Sequence, residues 1–209
     1  LKLSTNWLTV YRYNQSGILD PAEKTHMFEA LKVIYYPDPR LRKISARVDQ
    51  FDEQLKALAS RMLELMREHK GVGLAAPQVG ENIQLFVLNP TGDPADDRVY
   101  INPTLSEPEG GEEEAEEGCL SLPDIHAMVW RTKTLRIDAQ DLDGKPFHDI
   151  QSGYLARIWQ HEFDHLNGTM ITDRMGAVAK MAAKKKLKEL EEEYARLHPK
   201  SRTAVKKRQ

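Results

Sequence analysis

Two histidines four residues apart, with a glutamate directly after the first, constrain this chain more than any other stretch: Gln160-His161-Glu162-Phe163-Asp164-His165. The pair has a chemical use only on a helix. There, positions i and i+4 share a face with Cβ atoms ~5–6 Å apart, so two imidazoles can meet one metal ion. Glu162 then lies about 100° further round the helix, beside the metal without having to ligate it. A general base for attacking water needs that position. Asp164 and the outward ring nitrogens leave room for hydrogen bonds that orient the ligands. Two histidines on a half-buried helix face would show the same five-residue pattern, so the case turns on what the rest of the chain supplies.

A catalytic metal site takes three protein ligands and keeps one position open. Cys119 is the only cysteine among 209 residues. One thiol excludes an intramolecular disulfide framework and fits a reducing compartment. Lone cysteines are most often small buried hydrophobes, and only the histidine pair makes this one a candidate ligand. It lies in Glu117-Gly118-Cys119-Leu120-Ser121-Leu122-Pro123, where Gly118 permits close backbone approach. A third element is Gly71-Val72-Gly73-Leu74-Ala75-Ala76-Pro77-Gln78. Without a following Gly-Lys-Ser/Thr it is no phosphate loop. Its backbone suits an extended substrate, and the Gln78 amide suits an oxyanion.

Around these motifs the chain reads as a compact mixed domain. Leu55, Leu58, Met62, Leu65 and Met66 step by three and four, which predicts a helix capped by Asp49 and stopped at Gly71. Residues 83–88 read as a buried strand, 99–101 as a shorter one, and 127–130 and 134–141 as two more, with a turn at Asp143-Gly144. Seven glutamates within 107–117 read as a solvated loop. Ser152 caps the histidine helix, which runs to about Asn167 with Gly168 just beyond its end. A last helix, from about Met175 to His198, precedes a basic tail. Strands that cluster rather than alternate with helices predict an α+β fold, with mainly antiparallel sheets packed around the histidine helix and a C-terminal helix outside them. Residues 1–28 are read as an N-terminal extension (a leader, an alternative start or an expression remnant), 29–175 as the catalytic domain, and 176–209 as a basic helix and tail. No apolar stretch approaches the ~20 residues of a membrane-spanning helix.

In this order and spacing, Gly71–Gln78, Glu117–Ser121 and Gln160–His165 resemble the three signature motifs of peptide deformylases, over about residues 30–175. The first motif and Tyr154-Leu155-Ala156-Arg157-Ile158-Trp159 are similar to the type 1B branch of plant organelles and some bacteria. The resemblance implies hydrolytic removal of the formyl group from N-formylmethionine on new polypeptides, releasing formate, in a bacterial cytoplasm or an organelle stroma or matrix. It implies that Cys119, His161 and His165 hold one divalent metal, natively Fe²⁺, with Zn²⁺, Ni²⁺ or Co²⁺ able to replace it. Glu162 is then the general acid/base, and Gln78 and the backbone N–H of Leu120 stabilise the oxyanion. Gly71, Val72, Gly73, Leu74, Glu117, Gly118, Tyr154, Arg157 and Ile158 are the implied substrate-binding residues. In that picture the Arg157 stem narrows the mouth of the methionine pocket opposite Val72, and a Glu117–Arg131 ion pair supports the pocket from behind.

The net charge of −2 conceals an asymmetry: residues 1–175 carry −9 and residues 176–209 carry +7. An acidic body with a basic end points to one localised polyanion contact, not to specific DNA. Combined with the resemblance, it points to ribosomal RNA near the exit tunnel. Removing residues 176–209 is then expected to weaken ribosome binding and spare turnover of a short formyl peptide. Two other classes fit part of the sequence. A zinc endopeptidase shares the histidine pair but commonly takes its third ligand downstream, where no His follows in the metzincin arrangement and Glu189 or Glu191, in a Lys/Glu-rich helix, could imitate a glutamate ligand. A ribosome- or RNA-associated module with a structural metal accounts for the basic end but not for Glu162, because structural zinc prefers four closed protein ligands.

Overall fold

The computed structural model describes residues 28–199. The expected extension up to residue 27, and the basic end with Arg202, Lys206, Lys207 and Arg208, lie outside the described residues.

Helix α1 (Glu53–Glu68) buries Leu55, Leu58, Ala59, Met62, Leu65 and Met66 on one face, as their spacing requires. Its cap is Asp52 rather than Asp49, because the Asp52 carboxylate accepts the N–H groups of Gln54 and Leu55. It ends at Glu68, short of Gly71, since Lys70 already adopts a positive φ of 56°.

One antiparallel sheet runs in the order β1 (Gly73–Ala75), β2 (Leu85–Leu88), β3 (Arg98–Cys119), β4 (Leu122–Gln140), β5 (Pro146–Ser152). The chief correction concerns the glutamates of 107–117. They lie not in a loop but within β3, paired to β4 with Glu112 opposite Thr132, Glu114 opposite Trp130 and Glu116 opposite Met128. Those three face solvent, while Glu113, Ala115, Glu117 and Cys119 alternate toward the interior. Two of the inward residues are themselves glutamates, so the period of two is invisible in hydropathy. Register shifts interrupt the pairing near Ser106 and Glu109. The two strands expected at 127–130 and 134–141 are one continuous β4.

Helix α2 (Gly153–Leu166) carries the histidine pair and lays Ala156, Ile158, Trp159 and Leu166 against Phe86, Tyr100, Leu135 and Ile137 of the sheet. Beyond it, Gly168 has a φ of 69°, and a Cβ there would sit 2.6 Å from the Arg42 carbonyl oxygen, so conformation and space both require glycine. A short helix α3 (Ile171–Arg174) leads into α4 (Ala177–Leu197). Met170, Ile171, Met175, Ala183 and Leu190 pack on Cys119, Leu122, Ile125, Ala127 and Val129. Lys186 pairs with Asp124 at 2.9 Å, and Tyr36 Oη donates to Glu191 at 2.7 Å. The C-terminal helix therefore backs the turn that carries Cys119.

Candidate active site

The end of β3 and one face of α2 bring Cys119, His161 and His165 together, with their ligand atoms all within 4.8 Å of one another. Cys119 Sγ lies 3.3 Å from His165 Nε2, and the two imidazole centroids are 5.1 Å apart. A thiol and two imidazoles at this separation form a donor set that fits a divalent transition ion. His161 Nδ1 lies 3.0 Å from Glu117 Oε2, which keeps a proton on Nδ1, so Nε2 is the nitrogen that ligates once it has lost its own proton. The two imidazoles titrate apart. Burial opposes the charge on His161, but hydrogen bonds to Cys119 and Glu117 outweigh it and hold its pKa well above the usual value. Burial, reinforced by the His161 charge, pushes His165 well below it.

Glu162 is only 4% exposed, and its Oε2 has no hydrogen-bond partner. Burial pushes its pKa up to about 7, against the pull of the His161 charge. A carboxyl poised there suits proton transfer at neutral pH. Gly73 makes room for it, since a Cβ at that position would lie 2.3 Å from Glu162 Oε1. Gly71 similarly passes against the Leu120 side chain. Gln78 is held by its Oε1, which accepts the Ala75 N–H at 2.8 Å. Its Nε2 is thereby aimed at Ser121 Oγ (3.3 Å) and Cys119 Sγ (3.6 Å).

A cleft of about 530 Å³ opens onto these groups. It is lined by Gly71, Val72, Gly73 and Gln78, by Glu117, Gly118, Cys119 and Leu120, and by Tyr154, Arg157, Ile158, His161 and Glu162. Leu74 is not in the lining. It is fully buried in the core with Met62 and Val87, because neighbouring strand residues point to opposite faces. Tyr154 stands at the rim, 57% exposed. Tyr35, His69, Lys70, Asp124 and His126 also line the cleft, and no motif in the sequence marks them.

Behind the cleft, Arg131 grips Glu117 through Nε and Nη2, both at 2.9 Å, and donates from Nη1 to Asp164 at 2.6 Å. Asp164 also accepts from Arg174 Nε at 2.7 Å. The expected Glu117–Arg131 pair is present. Burial alone would raise the Glu117 pKa, but hydrogen bonds from His161 and Arg131 lower it to about 2. Arg157 lines the cleft together with Val72. Its guanidinium turns inward, donating to Glu117, Val129 O and Glu113 O.

The sequence profile of the polypeptide deformylases matches residues 30–181. The chain belongs to the polypeptide deformylase family. It is 43% identical over 166 residues to the chloroplastic/mitochondrial peptide deformylase 1B of Arabidopsis thaliana, covering 78% of this chain and 61% of that protein. With the peptide deformylase of Thermotoga maritima it shares 41% over 159 residues, covering 76% and 95% respectively. The chain thus spans about three fifths of the length of the plant relatives and nearly all of the Thermotoga one. A plant peptide deformylase 1B crystal structure superposes with a TM-score of 0.79 at 41% identity, covering 82% of this chain and 94% of that one. The Plasmodium falciparum peptide deformylase gives 0.78 at 39%, covering 80% and 99%. Both the α+β fold and the likeness to plant 1B deformylases are borne out. Among the described residues, no helix is long and apolar enough to cross a membrane.

Proposed function

We propose that this deformylase-family chain hydrolyses the formyl group from N-formylmethionine on new polypeptides, with one divalent metal held by Cys119, His161 and His165. The observation that carries the reading is Glu162, buried, unpartnered at Oε2 and shifted to a pKa of about 7, beside that triad in an open cleft. A divalent cation in the triad supplies Lewis acidity toward water and the formyl oxygen. Glu162 takes a proton from water as its oxygen attacks the formyl carbon, and returns that proton to the departing amine nitrogen. The C–N bond breaks, giving formate and a free methionine amine. Gln78 Nε2 and the Leu120 N–H donate to the formyl oxygen as its negative charge grows. β1 is the terminal strand of the sheet, so its outer edge is available to an extended peptide backbone. Val72, Tyr154, Ile158 and the Arg157 stem form the slot for an unbranched, polarizable methionine side chain. These donors accept Fe²⁺, Zn²⁺, Ni²⁺ and Co²⁺, and the preference for Fe²⁺ rests on the family resemblance. The location follows the substrate: a bacterial cytoplasm, or an organelle stroma or matrix.

Anaerobic purification should yield about one metal per chain and turnover of formyl-Met-Ala peptide. Cys119→Ser should lower metal affinity at least about 10-fold and deformylation with it. A Cys119→Ser protein with full metal and full turnover would remove the thiol from the site.

The C-terminal helix supports a ribosome contact. Lys180, Lys184, Lys185 and Lys188 are exposed on α4, beside exposed Val178 and Met181. Replacing Lys184, Lys185 and Lys188 with Glu should abolish co-sedimentation with ribosomes at low salt and leave formyl-peptide turnover intact. Unaltered co-sedimentation would make this a solvated helix face.

A further inference from the structure

We propose that Arg157 is a positioning residue that, through Glu117, holds His161 in its metal-ligating orientation. The proposal rests on the metal-site reading above and goes beyond it, since Arg157 enters there only as a wall of the side-chain slot. Glu117 receives four donors. Oε1 accepts from Arg131 Nε and Arg157 Nη1, both at 2.9 Å, and Oε2 accepts from Arg131 Nη2 at 2.9 Å with His161 Nδ1 at 3.0 Å. Arg131 does not belong to Glu117 alone, because its Nη1 is drawn to Asp164 at 2.6 Å. Arg157 has no competing carboxylate among these bonds. Two more of its N–H groups donate to Val129 O at 2.8 Å and Glu113 O at 2.9 Å, one on each strand of the β3–β4 hairpin.

The topology gives this arrangement its consequence. Arg157 and His161 are four residues apart on α2, so both reach the same carboxylate from one helix face. Glu117 and Cys119 sit two residues apart on the same inward face of β3. The guanidinium therefore ties the helix that supplies two ligands to the hairpin that supplies the third. An arginine that merely filled space would need neither the carboxylate that orients a ligand nor a carbonyl on each strand. It is 6% exposed, and an aliphatic residue in its place would leave two strand carbonyls and one lone pair of Glu117 without this donor. A planar, forked donor is needed to reach all three acceptors at once.

The test is the rate at which Zn²⁺-loaded protein loses metal to excess chelator, measured in wild type, Arg157→Leu, Glu117→Gln and the double variant. Arg157→Leu should speed metal loss about 10-fold, the low end for a residue supporting a ligand. In the Glu117→Gln background the same change should add less than about twofold, because the route through Glu117 is already cut. An unchanged rate in Arg157→Leu overturns the proposal, and so does an equal acceleration in both backgrounds. If Arg157→Leu does not fold, Arg157→Lys takes its place in the cycle under the same criterion, since one amine cannot serve all three acceptors. Wild-type protein that takes up no Zn²⁺ would overturn the metal-site reading itself, an outcome distinct from either of these.

Discussion

Glu162→Gln is expected to leave the metal bound and to lower kcat by at least ~10²-fold, with little change in KM. The amide keeps the shape of the side chain and fits the space that Gly73 leaves for it. What it loses is the capacity to take a proton from water and return it to the amine. Neither of two buried groups close by, Glu117 and His165, substitutes easily. Glu117 has a pKa lowered to about 2 and both its oxygens engaged, and burial with the His161 charge holds His165 well below its usual pKa. The same shift gives a second readout in metal-free protein. A buried carboxyl with a folded pKa of about 7 contributes stability that is full below its unfolded pKa and is lost as pH rises through about 7. An amide in its place does not titrate, so the stability of the Glu162→Gln variant relative to wild type should improve as pH rises from about 5 to about 7. Near-normal turnover in a fully metal-loaded Glu162→Gln protein would require another base and would end this assignment.

The parts of the site that are legible in the sequence are those with a local signal. His161 and His165 announce themselves through helical spacing, and Cys119 through its solitude and neighbouring glycine. Gly73 is legible as part of a backbone suited to an extended substrate, and only the fold shows that it also makes room for the Glu162 carboxylate. Leu74 falls outside the cleft because a motif is a run of residues, whereas a strand sends alternate side chains to opposite faces. The run of glutamates hides a strand because charge on the inward positions 113 and 117 erases the alternation that normally reveals one. Glu117 is tolerated there by Arg131, Arg157 and His161, and each of these partners lies at least 14 residues away along the chain. Long-range compensation of that kind has no local signature. The inward turn of the Arg157 guanidinium is hidden for the same reason: the sequence shows its helix but not the carboxylate that draws the charged end inward.

Deleting residues 177–209 is expected to lower the melting temperature by about 10–20 °C and to cost metal and peptide turnover as well as any ribosome contact. This reverses the expectation drawn from charge alone, in which the segment is dispensable for chemistry. Helix α4 buries Ala183 and Leu190 and half-buries Ala179 and Leu187 against the core that includes Cys119, Leu122, Ile125 and Val129. A buried leucine contributes about 1.5–3 kcal/mol, so the helix contributes about 5 kcal/mol in all. A domain of this kind is stable by about 5–15 kcal/mol. Each kcal/mol is worth about 2–4 °C at this chain length, which gives the stated shift. Turnover should fall too, because the deletion strips the packing from behind Cys119 and removes the Lys186 partner of Asp124 at the cleft rim. Leu190→Ala separates packing from charge: it should lower the melting temperature by several degrees while leaving the basic face intact, whereas the lysine-to-glutamate variants should do the opposite. A truncated protein with wild-type melting temperature and wild-type metal retention would show that the apolar contact beneath α4 carries no stability.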